Sequence, residues 1–256
     1  MILLKNSVEI EYIRKSNQII ASIFRALHPY IREGVKTKEI DAVIEDMILS
    51  RGARPSFKGY APGGGFRPYP AASCISVNEV VIHGIPGEYE LKVGDVVSID
   101  VGTELHGYYG DAAYTYIVGK TDEKKQRLVE DTKKALDMAI EVCREGVYLN
   151  EIGRVISFYL TSRGYGILRE YCGHGVGKAL HEDPPVLNYY DPKRKGPKLK
   201  KGMVIAIEPM VTLGTHEVRV LPDGWTVVTK DGSCAAHWEH SIAITDGEPL
   251  ILSQWE

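Results

Sequence analysis

The chain has 256 residues, of which 44% are hydrophobic and 25% charged, with a formal net charge of −3. That is material for a well-filled globular core, as one large domain or two fused halves; it gives no global pull towards DNA or an anionic membrane, and no apolar stretch is long enough to span a bilayer. Cys74, Cys143, Cys172 and Cys234 lie far apart with no C-x-x-C pair and no signal-peptide core opens the chain, so neither a zinc knuckle nor a disulfide framework is expected, and the expected location is the cytoplasm.

Residues 9–28 predict an amphipathic helix, with Ile10, Ile13, Ile20, Ile23, Phe24 and Leu27 at helical spacing. A second helix is expected from Thr37, read as its cap, with Ile40, Val43, Ile44 and Met47 on one face and a stop at Gly52. Residues 57–72 are too rich in Gly and Pro for regular structure, yet carry four aromatics. Residues 73–82 predict a strand pair turning at Asn78-Glu79, with His83 at a strand end. Val96 to Ile99 is a β-branched apolar run, hence a buried strand, and it ends on Asp100. Gly102 and Gly107 are expected to be turns, and Asp111 to begin the returning strand. Two acids thus face each other beside apolar sequence. A bare buried pair is costly unless one acid is protonated or a cation lies between them. Taken alone, two such aspartates are ordinarily turn residues in water.

A third helix is expected from about Glu123 to Arg144. The chain then echoes itself: residues 144–165 match residues 32–53 at eleven of twenty-two positions, and 199–208 match 91–100 at five of ten, placing Glu208 on Asp100. Asp111 and Glu239 each begin a stretch that reaches a glycine eight residues on. The expectation is an α+β fold, because helices and strands come in blocks. It is a single catalytic domain of two pseudo-symmetric halves, about 1–120 and 121–256, with strands joined in one antiparallel sheet and helices outside.

If the halves are symmetric, Asp100 and Asp111 converge with Glu208 and Glu239. His174, between two glycines, adds an imidazole. Four carboxylates and a neutral histidine balance two divalent cations, and oxygen-rich ligation suits Co, Mn, Fe or Zn. Two cations sharing a water are hydrolytic equipment. His83 and His181 flank these segments and are candidates for hydrogen bonding to a substrate carbonyl or moving a proton to a leaving amine. His28, His106 and His216 read as surface or satisfied core residues. His237 and His240 straddle Glu239; strand geometry is expected to turn both away, leaving His240 at most beside the ligands. His237-x-Glu239 is no deaminase signature, because no P-C-x-x-C follows.

At these residues the chain resembles the type I methionine aminopeptidases, of the pita-bread fold shared with prolidases and creatinase. The matching segments are Ser76–Pro86, Gly94–Gly102, Gly110-Asp111, Glu170–Gly177, His181-Glu182, Gly202–Met210, Asp223–Trp225 and Glu239-His240. The resemblance implies that Asp100, Asp111, His174, Glu208 and Glu239 hold two divalent metals, with Asp111 and Glu239 bridging. It implies that activated water attacks the first peptide carbonyl, that Glu208 helps move the proton, that His181 steadies the carbonyl oxygen and that His83 contacts the scissile amide. Methionine would fill a pocket of Tyr60, Tyr69, Cys74, Leu180 and Trp225, and the substrates would be nascent chains or peptides with a small second residue. The loop Ala61 to Pro68 is longer than the family's short turn, and Leu180 stands where an aromatic is common.

Prolidases and X-Pro aminopeptidases share the expected metals but usually carry a further N-terminal domain, and a non-catalytic or creatinase-like relative would have lost ligands. A type II enzyme would need an insertion longer than Pro184 to Leu199. The basic loop 191–201 reads as a solvated surface or as a contact with ribosomal RNA. Nothing in the sequence demands an oligomer, so a monomer is expected.

Overall fold

The apolar spacing is realised in helices α1 (Ser7–Leu27), α2 (Thr37–Leu49), α3 (Glu123–Glu141) and α4 (Asn150–Thr161) of the computed structural model, which describes residues 1–65 and 67–255. Phe66, one of the four loop aromatics, and Glu256 lie outside the described residues. α1 opens on a capping box: the Asn6 side chain accepts from the Val8 and Glu9 amides, and Glu9 accepts from the Asn6 amide. Its inner face buries Ile13, Ile20, Ile23, Phe24 and Leu27, each contributing about 1.5–3 kcal/mol by leaving water. α2 is capped differently from expectation. Lys36 is the N-cap, with its amide donating to Glu39 at 2.8 Å, and Thr37 is the first helical residue. The Thr37 hydroxyl is occupied elsewhere, accepting from the Gly87 amide at 2.9 Å.

The fold is α+β, with antiparallel strand pairs throughout the described residues. Hydrogen bonding divides the strands into sheets of four, three, three and five rather than one continuous sheet. The expected strands Ser73–Val77 and Val80–Ile82 are present but do not pair with each other: the first pairs with Val96–Leu105 and the second with Val227–Thr229, in different sheets. The dominant unit is a hairpin of Val96–Leu105 with Tyr108–Ile117, which belongs to the four-stranded sheet. The five-stranded sheet contains Gly173–Gly175, Glu182–Val186, Val204–Ile207 and His240–Ala243. The two sheets meet where Ala113 of the hairpin forms an antiparallel bridge with Glu239. No helix among the described residues is long and apolar enough to cross a membrane.

α1 lies against the hairpin at close range. Ser16 and Thr103 share a 2.8 Å hydroxyl contact, and Asn17 accepts from the Asp111 amide at 3.2 Å. Gly110 permits this approach, since a Cβ there would stand 2.7 Å from the Asn17 nitrogen. Gly110→Ala should therefore push α1 off the hairpin and destabilise the protein by about 1–3 kcal/mol. Urea denaturation would measure it; an unchanged midpoint would mean that the contact has slack.

Candidate metal centre

Asp100 and Asp111 sit in mid-strand, not at the strand ends expected. Val96–Leu105 continues through Gly102, where a Cβ would collide with Phe57. Asp100 pairs with Ala113, and Asp111 pairs with Gly102. Residues directly opposite share a face, and so do residues two apart. Asp100, Ala113 and Asp111 therefore present one face. Glu239 joins it from the other sheet, its amide donating to the Ala113 carbonyl at 3.0 Å. Glu208 directly follows the Val204–Ile207 strand. His174 lies in a short strand squeezed between two others: a Cβ on Gly173 would meet the Ala206 carbonyl oxygen at 2.3 Å, and one on Gly175 the Asp183 carbonyl oxygen at 2.2 Å. The flanking glycines thus allow the close approach expected of them.

The ligand atoms of Asp100, Asp111 and Glu239 lie within 4.8 Å of one another, as do those of His174, Glu208 and Glu239, and those of Asp111, His174 and His181. His174 donates through Nδ1 to the Gly175 carbonyl at 2.9 Å, so Nε2 faces the acids, 3.5 Å from Asp111 and 3.6 Å from Glu208. Asp100 Oδ1, Asp111 Oδ1 and Glu239 Oε1 are buried without a hydrogen-bond partner. Buried oxygens are normally satisfied, and an array of unpaired carboxylate oxygens beside an oriented imidazole fits divalent cations.

Electrostatics agree. Burial, then repulsion by Asp111 and Glu208, pushes the Asp100 carboxyl well above its ordinary range, and the same causes raise Glu239. Burial raises Asp111 against the pull of His174. Burial also acts on Glu208, but contacts with His237 and His174 outweigh it and hold this carboxyl low. Burial draws His174 down, yet Asp111 and Glu208 win and push it up to about 9. His83 and His181 are lowered to about 4, chiefly by burial, so both rings are neutral at neutral pH.

These groups line a cavity of about 1100 Å³ that also takes in Tyr60, Tyr69, Cys74, Leu180, Trp225, His83 and His181. The expected ligands, the pocket residues, His83 and His181 are thus brought to one place. Phe57, Tyr69, Cys74 and Leu180 pack as an apolar cluster with Tyr60 and Trp225 against it. The Tyr69 ring meets Trp225 edge-on at 5.2 Å, and its hydroxyl donates to the Gly84 and Ser73 carbonyls. The Tyr60 hydroxyl lies 2.8 Å from His181 Nδ1. Trp225 donates to the Arg67 carbonyl at 2.9 Å, tying the long loop to the opposite rim. His83 holds a positive φ of 57°, a conformation uncommon for a side-chain-bearing residue.

The sequence reading turned His237 away, and this is wrong. His237 is two residues before Glu239, the spacing at which an extended segment puts both on one side. Its Nε2 lies 3.6 Å from Glu208, and the residue is 2% exposed. The signal was present in the period of two. His240 does turn away, bonding Ser253 and stacking on Trp255 at 3.7 Å.

The sequence pattern of metallopeptidase family M24 matches residues 11–246. A methionine aminopeptidase of Clostridium acetobutylicum is 47% identical over 257 residues, spanning 100% of both chains. Methionine aminopeptidase 1 of Bacillus subtilis is 46% identical, covering 99% of this chain and 100% of its own. The crystal structure of a methionine aminopeptidase from Thermotoga maritima superposes with a TM-score of 0.94 at 43% identity, covering 99% of this chain and 100% of that one. A prolidase from Pyrococcus horikoshii gives 0.77 at 26% identity, covering 99% of this chain and 64% of that one.

The raised acids make a prediction for the metal-free protein. An acid whose pKa is higher folded than unfolded ionises first in the unfolded chain, so stability falls as pH rises above the ordinary carboxylate range. Urea denaturation in chelator, from about pH 4.5 to 7, should show that decline, and added divalent cation should reverse it. Glu239→Ala should flatten the decline and weaken cation binding about tenfold or more. A flat wild-type profile would show that the acids are not forced together.

Proposed function

The chain belongs to metallopeptidase family M24 and, within it, to the methionine aminopeptidases, and from that premise we propose that it removes the N-terminal methionine of nascent proteins and peptides whose second residue is small. The observation that carries this reading is the overlap of ligand groups beside an apolar pocket. One group is Asp100, Asp111 and Glu239, the other His174, Glu208 and Glu239. Two clusters sharing an acid support two divalent cations, with Co, Mn, Fe and Zn all suited to the donors. Asp111, which belongs to the first cluster and lies 3.5 Å from His174, would also take part in holding both cations. When bound, the cations supply Lewis-acid chemistry, polarising the peptide carbonyl and easing ionisation of water.

The chain's own residues do the rest. Glu208, the acid held low, accepts a proton from water and passes it to the leaving amine. With Tyr60 donating to Nδ1, neutral His181 keeps its proton on Nε2 and donates to the carbonyl oxygen. His83, fixed by its unusual backbone, contacts the scissile amide. Tyr69, Cys74, Leu180 and Trp225 receive the methionine side chain, whose flexible thioether suits aromatic edges.

We also read residues 1–256 as one catalytic domain of two related halves, about 1–120 and 121–256. Supporting this, α2 and α4 occupy matching stretches of the internal repeat, as do the strands that lead to Asp100 and Glu208. A cytoplasmic monomer is the simplest form. The exposed Lys193, Arg194, Lys195, Lys198, Lys200 and Lys201 suit a phosphate backbone, and a contact with ribosomal RNA fits an enzyme of nascent chains. Reversing these charges should reduce cosedimentation with ribosomes at low salt, and unchanged cosedimentation would leave the loop as solvated surface.

The deciding experiment compares Met-Gly-Met-Met with Met-Pro-Gly and Ala-Pro-Gly, on metal-stripped enzyme and after adding Co, Mn, Fe or Zn. Methionine release from the first peptide, only with metal, is expected. Preference for Ala-Pro-Gly would move the chain to the X-Pro branch.

A further inference from the structure

His181 is carried on a turn. One strand ends at Gly175 and the next begins at Glu182. Lys178 and Ala179 are exposed, so the turn is gripped from inside, by Glu182. Its Oε1 accepts from the Lys178 amide at 2.7 Å and the Ala179 amide at 3.2 Å, and its Oε2 accepts from Lys5 Nζ at 2.5 Å. The two side chains of this ion pair are only 5% and 8% exposed. Lys5 arrives from the segment ahead of α1, its amide donating to the Gly202 carbonyl at 2.7 Å. The pair passes over Gly177, where a Cβ would lie 2.5 Å from Lys5 Cε and 2.9 Å from Glu182 Oε1.

We infer that the buried Lys5–Glu182 pair positions His181 for the reaction, an inference that rests on the role proposed for that imidazole. A buried ion pair is a poor stabiliser, since desolvation offsets its attraction and apolar residues can replace it. What this pair does is fold the turn: one carboxylate gathers two successive amides next to His181, and Lys5 neutralises the charge so that the carboxylate can stay buried. Tyr60 fixes the ring, and Glu182 with Lys5 fixes the backbone from which it projects. Neither Lys5 nor Glu182 bonds the imidazole, so both act through placement.

The test separates charge from turn geometry. Lys5→Met strands the carboxylate, whereas the double variant Lys5→Met/Glu182→Gln keeps an amide oxygen for the two N–H groups and strands no charge. On Met-Gly-Met-Met with Mn, Lys5→Met should lower kcat about tenfold or more while KM shifts less than about twofold. The double variant should return to within about threefold of wild type. Hydrogen exchange at the Lys178 and Ala179 amides should quicken in Lys5→Met and slow again in the double variant. In a His181→Ala background, Lys5→Met should cost no further kcat, because its effect passes through that ring.

Wild-type kcat in Lys5→Met, an undiminished penalty in the His181→Ala background, or a double variant no better than the single one would each overturn the inference. Absence of wild-type turnover with every metal would instead overturn the peptidase reading. The exchange measurement needs no turnover and still decides whether the pair holds the turn.

Discussion

The structure depends on forcing like charges together at Ala113. This residue has Asp100 beside it on one strand and Glu239 on the other, and Asp111 two positions before it on its own. In-register neighbours present one face, so three acids point the same way with only a methyl group among them. Two ionised carboxylates 4.8 Å apart repel by about 3–4 kcal/mol at an effective dielectric near 20. Burial, and then this repulsion, holds the Asp100 and Glu239 carboxyls well above their ordinary range in the metal-free protein. The arrangement makes physical sense when cations replace those protons.

Such a cluster needs a frame that cannot relax. Loops would let the acids splay apart, whereas strands locked by ladders cannot. The seam between the two sheets has few ladder bonds of its own, and buried hydroxyls complete it. Ser241 donates to the Asp111 carbonyl at 2.7 Å across this seam, while the Ser98 and Thr115 hydroxyls accept from the His237 amide and Thr115 donates to the His237 carbonyl at 2.6 Å, tying the hairpin to the three-stranded sheet that holds Ala235–His237. Backbone groups that no ladder reaches are thereby satisfied, and the hairpin bearing Asp111 is held to the strands on either side of Glu239. α1 closes the outer side of the hairpin through Ser16 and Asn17.

Much of this was legible before the fold was known, for identifiable reasons. The helices follow from apolar spacing, and the α2 and α4 stretches from the internal repeat. Convergence of Asp100, Asp111, Glu208 and Glu239 follows from taking that repeat as symmetry. What failed was local and depended on tertiary contacts. Gly102 resembled a turn because glycine usually breaks a strand, but here it makes room for Phe57. Thr37 resembled a cap because its hydroxyl can serve as one, but Gly87, fifty residues away in the chain, takes it. A single sheet was expected, yet the Ala113–Glu239 bridge joins two sheets by one pair of residues, a detail no periodicity encodes. His237 is different: alternation predicted it correctly, and the rule was misapplied.

The site rests on two kinds of support. The acids and His174 lie on or beside strands, while His181, Tyr60 and Trp225 come from connecting segments. Strands give the metal centre the rigidity that like charges demand. The connections around the cavity are held by sparse, specific cross-links: Tyr60 to His181, Trp225 to the Arg67 carbonyl, and Glu182 to the turn amides. Tyr60 belongs to both systems, packing against the apolar pocket and bonding the imidazole. A single hydroxyl thus links the apolar pocket to the imidazole.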